Sequence, residues 1–82
     1  MDRNKVFEKM VDICRDVFDD DSLVVTESTT AKDVEGWDSL AHFSLINELE
    51  ETFGVAFTLD ETTGSKNLGE LLDALMKHIA ER

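Results

Sequence analysis

Apolar residues recur three to four positions apart in three separate stretches of this chain, and no proline interrupts any of them. That spacing lines them along one face of an α-helix, whereas a half-buried strand would alternate at every second residue. The first stretch predicts a helix over about residues 3–18, with Val6, Met10, Ile13 and Val17 on one stripe and Phe7, Cys14 and Phe18 widening it. The second predicts a helix that begins at Asp38 or Ser39 and ends before Gly54, a residue suited to the left-handed conformation that stops helices. Its core stripe is Leu45, Ile46, Leu49 and Phe53, and Ser44, Asn47, Glu48, Glu50 and Glu51 lie on the polar side. The third opens at Asn67, with Glu70 three residues on as a capping-box-like pair, and repeats Leu68, Leu71, Leu72, Leu75 and Ile79. Between the last two, Val55 and Phe57 read as core plugs, and residues 58–63 give at most one or two helical turns closed by Gly64. The expected fold is all-α: a small four-helix bundle of three main helices and one short one, forming a single domain over residues 1–82.

Residues 19–37 lack any periodicity. Leu23, Val24 and Val25, then Val34 and Trp37, are the apolar anchors expected to pin this long loop between the first and second helices. A connection of such length without its own structure is uncommon in a small domain unless it crosses the fold or serves a function.

Charge is distributed as unevenly as hydrophobicity. Residues 1–18 carry four acids and four bases, and residues 64–82 carry three of each, so both ends are neutral. Residues 19–63 hold twelve acids against Lys32 alone, and the whole net charge of −11 lies there. A nucleic-acid binder needs a basic footprint to displace counterions, and an anionic membrane surface would repel this segment, so neither partner is expected. A basic protein surface is the complementary partner. The lone Cys14 has no internal disulfide partner, and the chain shows neither a signal-peptide h-region nor a membrane-spanning apolar run. These features lead to the expectation of a monomeric cytoplasmic protein.

Few residues are arranged for catalysis or metal binding. Asp19, Asp20 and Asp21 begin like a calcium loop, but the sixth and twelfth positions, which need Gly and Glu, are Val24 and Thr30. Cys14 sits among apolar helix positions with no His or second Cys placed to activate it, and reads as a small hydrophobe. Ser39 and His42 are helical neighbours, yet Asp38 precedes the serine and is poorly placed to orient the far ring nitrogen, and no oxyanion hole is suggested. A hydrolase is therefore not expected. His42 is expected to line the upper end of the bundle, and His78 to complement the C-terminal end of its own helix.

Two features remain. Leu40 and Phe43 point away from the core stripe among polar positions, either as scattered surface residues or as a small apolar contact ringed by acids. Ser39 stands in the first turn of a helix, either as a simple cap or as an exposed hydroxyl. A phosphodiester on that hydroxyl would meet free backbone N–H groups and the positive end of the helix dipole.

Gly36-Trp37-Asp38-Ser39-Leu40, followed by Leu45-Ile46-x-x-Leu49-Glu50-Glu51-x-Phe53-Gly54-Val55, resembles the acyl carrier protein family over most of the chain, with the matching residues concentrated in 34–57. The resemblance implies a four-helix bundle with a long loop before the second helix. It implies that a phosphopantetheinyl transferase attaches 4′-phosphopantetheine from coenzyme A to Ser39, and that Asp38 and Leu40 are flanking positions the transferase reads. It further implies a protein that catalyses nothing itself and presents acyl thioesters to acyl-loading and acyl-using enzymes. Leu40, Phe43, Asn47, Glu48, Glu50 and Glu51 would then form the face that docks on basic patches of those partners. Ser44 and Asn47 depart from the acidic and apolar residues of fatty-acid-synthesis carriers at these positions, and the Gly36-Trp37-Asp38-Ser39-Leu40 form with Phe53-Gly54-Val55 looks more like free-standing carriers of specialised pathways. The acidity sets the chain apart from peptidyl carrier domains cut from synthetases, while a free-standing aminoacyl or peptidyl carrier, or an unmodified acidic adaptor, are the alternatives. Phe43 and Phe57 are expected to lie near the arm and restrict the acyl chain that the bundle takes up.

Overall fold

The structure is a computed structural model that describes residues 2–81. Four α-helices follow one another: α1 (Arg3–Val17), α2 (Ser39–Phe53), α3 (Leu59–Gly64) and α4 (Leu68–Glu81). A single 3₁₀ turn, Ala31–Asp33, interrupts the long loop between α1 and α2, and there is no strand among the described residues. The four-helix architecture is the one that periodicity predicts.

α1 starts where the Asp2 carboxylate accepts the N–H of Asn4 at 3.1 Å, which satisfies one of the first-turn donors that lack a helical acceptor. Its innermost row is Val6, Met10 and Cys14, all sealed from solvent. Ile13 and Val17, expected on the central stripe, are only half-buried, whereas Cys14, expected on its flank, is central. The row of every fourth residue is the ridge that a neighbouring helix packs against, and this row is the one α1 turns inward. α2 contributes Leu45, Ile46, Leu49 and Phe53, and α4 contributes Leu68, Leu71, Leu72, Leu75 and Ile79, all buried. Gly54 ends α2 at φ 65°, ψ 42°, the left-handed position for which glycine has no steric cost, and its N–H returns to the Glu50 carbonyl.

The loop is anchored by Val25 and Val34, both buried, with Leu23 and Trp37 half-buried beside them. Val24 is not an anchor: it is 81% exposed. Burial alternates along this stretch, with Leu23 half-buried, Val24 exposed and Val25 buried, which is the pattern of side chains pointing to opposite sides in turn. The loop also caps α4 with its backbone. The carbonyls of Thr29 and Glu27 accept the N–H groups of Leu68 and Gly69 at 3.0 and 2.7 Å. Asn67 Oδ1 accepts the N–H of Glu70 at 2.9 Å, and Glu70 reaches back to the N–H of Lys66 rather than to that of Asn67. Arg3 clamps the assembly from outside, donating to Glu27 at 2.6 Å and to Asp73 at 2.7 Å, so α1, the loop and α4 share one guanidinium.

α3 opens with a reciprocal cap in which Thr58 Oγ1 accepts the N–H of Glu61 and the Glu61 carboxylate accepts the N–H of Thr58. Gly64 closes this short helix as expected, though from within it and not with a left-handed backbone. It lies inside the last turn, and Ser65 follows in extended conformation.

Candidate functional site

The approach to α2 is a tight turn. Gly36 adopts φ 86°, a left-handed value, and its carbonyl accepts the N–H of Asp38 at 3.0 Å while Trp37 N–H donates back to Val34. This delivers Asp38 as the N-cap: its Oδ1 accepts the N–H of Ala41 at 2.8 Å, and its carbonyl accepts that of His42 at 2.9 Å. With Asp38 capping, Ser39 is released from that duty. It is the first helical residue, it is exposed, and its hydroxyl has no partner among the described residues. The N–H groups of Ser39 and Leu40 likewise have no acceptor there. A free hydroxyl beside two unpaired donors at the positive end of a fifteen-residue helix fits a phosphodiester, whose oxygens are acceptors only.

A shallow groove of about 530 Å³ runs from Ser39 between the start of α2 and the end of α3. Trp37, His42 and Phe43 line it from one side and Thr62 and Thr63 from the other. His42 holds the two sides together. Trp37 Nε1–H donates to His42 Nδ1 at 3.1 Å, and since an indole only donates, the imidazole proton is on Nε2, which donates to the Thr62 carbonyl at 2.7 Å. The two rings also stack, with centroids 6.1 Å apart. His42 therefore lines the upper end of the bundle, as its position on the helix wheel predicts, and is locked there by two partners that no helix wheel shows.

The remaining predicted residues fall on the outer face of α2. Leu40 is 76% exposed and Phe43 66%, with Asn47 and Glu51 exposed and Glu48 and Glu50 half-buried. Glu50 has a structural role that its sequence position does not announce: Oε2 accepts the N–H of Phe57 at 2.9 Å and closes the link from α2 to α3. Phe57, expected near Ser39, does not line the groove; it packs edge-on against His78, with centroids 5.7 Å apart. His78 lies in the last turn of α4, the position expected to complement the helix C-terminus, and has a second role there. It donates from Nε2 to Glu61 at 2.7 Å and so ties α4 to α3. Backbone donation from Thr58 and then this bond hold the Glu61 carboxyl below the ordinary carboxylate range. Cys14 is inert where it lies, because burial pushes its thiol up to about 11. No group of three or more His, Cys, Asp or Glu among the described residues is arranged to hold a metal ion.

Residues 8–75 match the family model described as a phosphopantetheine attachment site. The chain is similar to an acyl carrier protein of Rubrobacter xylanophilus, with 34% identity over 79 residues, covering 95% of this chain and 96% of that protein. It is also similar to the solution structure of a holo acyl carrier protein from Geobacter metallireducens, at a TM-score of 0.84 and 43% identity, covering 90% of this chain and 85% of the other.

Proposed function

The chain belongs to the acyl carrier protein family, and on that premise we propose that Ser39 is the residue that bears the family's prosthetic group, 4′-phosphopantetheine. The protein is a carrier and not a catalyst. When bound, the prosthetic group supplies a thiol that holds an acyl group as a thioester. The observation that carries the assignment is the division of labour between Asp38 and Ser39: the aspartate caps the helix, and the serine hydroxyl stays exposed beside two unpaired N–H groups. Asp38 and Leu40 flank that hydroxyl where a transferase would grip it.

The outer face of α2 is the surface we assign to partners, namely the phosphopantetheinyl transferase and the enzymes that load and use the acyl group. Leu40 and Phe43 supply exposed apolar area, and Glu48 and Glu51 supply charge for basic patches, with Asn47 between them. Glu50 has only Oε1 to offer, since Oε2 is engaged by Phe57. Ser44 and Asn47, both exposed, make this face less acidic and less apolar than that of a fatty-acid-synthesis carrier, which favours a specialised pathway. A single buried thiol suits the reducing cytoplasm.

Incubation with coenzyme A, magnesium and a broad-specificity transferase is expected to add the mass of one phosphopantetheine to the intact protein and nothing to Ser39→Ala. An increment retained in the variant, or none in the wild type with an active transferase, rejects the assignment. Reversing Glu48 and Glu51 to Lys is expected to weaken transferase binding in a salt-dependent manner without preventing folding.

A further inference from the structure

Beside the Ser39 groove lies a second, smaller space of about 60 Å³, lined by Trp37, His42, Leu68 and Leu71 and bordered by the exposed Ala31 and Lys66. Ala31, Trp37, His42 and Ser65 line both spaces, and Leu68 and Leu71, which line only the smaller one, belong to the buried core. Leu68 and Leu71 on the wall of the smaller space, and Leu45, Leu49, Leu72 and Leu75 elsewhere in the core, are all 0–1% exposed, and the core is closed by packing.

An alkyl chain tethered beside this bundle gains by burying each methylene and would enter if a path were open. Here the path is barred by hydrogen bonds. Both nitrogens of His42 are engaged, one by the indole of Trp37 and one by the carbonyl of Thr62, and the second bond joins α2 to α3 across twenty residues. Parting the helices for an alkyl chain would break both bonds and set the Thr62 carbonyl and the indole N–H against the alkyl chain instead of a hydrogen-bond partner.

We propose that the Trp37–His42–Thr62 bridge sets the cargo of this carrier: acyl groups of a few carbons, held on the surface groove, with longer alkyl chains kept out of the bundle. The proposal rests on the assignment of Ser39 as the attachment site. The test uses wild-type protein loaded from acetyl-, hexanoyl- and decanoyl-coenzyme A by a transferase, with intact mass recording the loading. Cleavage of each thioester by hydroxylamine then reads its shielding. Wild-type rates are expected to agree within about twofold across the three lengths, whereas a chain that prefers the interior by 1.4 kcal/mol would be shielded about tenfold. His42→Ala, which removes the bridge, is expected to shield the hexanoyl and decanoyl thioesters relative to the acetyl. Trp37→Phe keeps a ring and removes only the indole donor, and decides the matter if His42→Ala does not fold. Shielding that grows with chain length in the wild type overturns the proposal, as do flat rates in the folded variants. Failure to load any of the three overturns the Ser39 assignment, and the proposal with it.

Discussion

The N–H of Gly69 donates to the carbonyl of Glu27 at 2.7 Å, and the same oxygen stands 2.9 Å from the point where a β-carbon on residue 69 would lie. One backbone contact thus joins the long loop to the first turn of α4 and leaves no room for a side chain. Gly69→Ala must push the loop off the helix or strain the bond, and overpacking of this kind costs about 1–3 kcal/mol. Gly64→Ala is the control. Nothing lies within 4 Å of its would-be β-carbon and its backbone is helical, so the substitution is expected to be neutral or to stabilise by about 0.4–1 kcal/mol. Urea denaturation of both variants checks the contrast, and equal stabilities would show that the loop yields freely.

Asp38 has a structural role separable from any role in recognition. Its Oδ1 accepts the N–H of Ala41, so Asp38→Ala is expected to cost about 0.5–2 kcal/mol, while Asp38→Asn keeps a carbonyl acceptor and most of the stability. If a transferase reads the charge, Asp38→Asn loads more slowly while melting near the wild type. Paired thermal melts and loading rates separate the two roles. Equal losses of stability in the two variants would remove Oδ1 as the source of the cap.

Side-chain periodicity and residue type make α2 legible in the sequence, because the signals are local: an Asp at the start, a four-residue core stripe and a Gly at the end, which in the structure takes φ 65°. What pins the loop was not legible. The carbonyls of Glu27 and Thr29 that cap α4 belong to the backbone and carry no residue signature. The bond from His42 to Thr62 spans twenty positions and that from His78 to Glu61 seventeen, so only the packing of α3 brings these partners together. Val24 escapes the sequence for the opposite reason: three adjacent apolar residues look alike there, and only packing sorts them, with Leu23 and Val25 inward and Val24 outward.

Burial of Cys14 has a consequence at alkaline pH. In the unfolded chain the thiol ionises near 9, whereas in the core it does so near 11. A group whose folded pKa is raised contributes its full stability below the unfolded value and loses it as pH rises through the folded one, so the window here is about pH 9 to 11. Stability is expected to fall across that window, and Cys14→Ala, less stable at neutral pH for its cavity, is expected to show a shallower decline. Parallel declines in denaturant titrations at pH 8, 9.5 and 10.5 would place the alkaline sensitivity elsewhere.

Glu61 governs the acid side. The N–H of Thr58 first, and the imidazole of His78 second, hold its carboxyl below the ordinary value of 4.5. A depressed carboxyl contributes stability above its unfolded pKa and loses it as pH falls through the lower folded value, so the loss begins below about pH 4.5. Protonation weakens both the cap of α3 and its tie to α4, so α3 is the element expected to loosen first. Trp37, the single tryptophan of the chain, reports on that event, because its indole donates to His42, which in turn is bonded to the Thr62 carbonyl on α3. In acid titration from pH 6 to 3, tryptophan emission is expected to shift before helical circular dichroism is lost. Glu61→Gln cannot ionise, so the part of the early emission change that comes from this carboxyl is expected to be missing from the variant's titration. Coincident transitions in the wild type, or an unaltered early phase in Glu61→Gln, would detach α3 from the titration of this carboxyl.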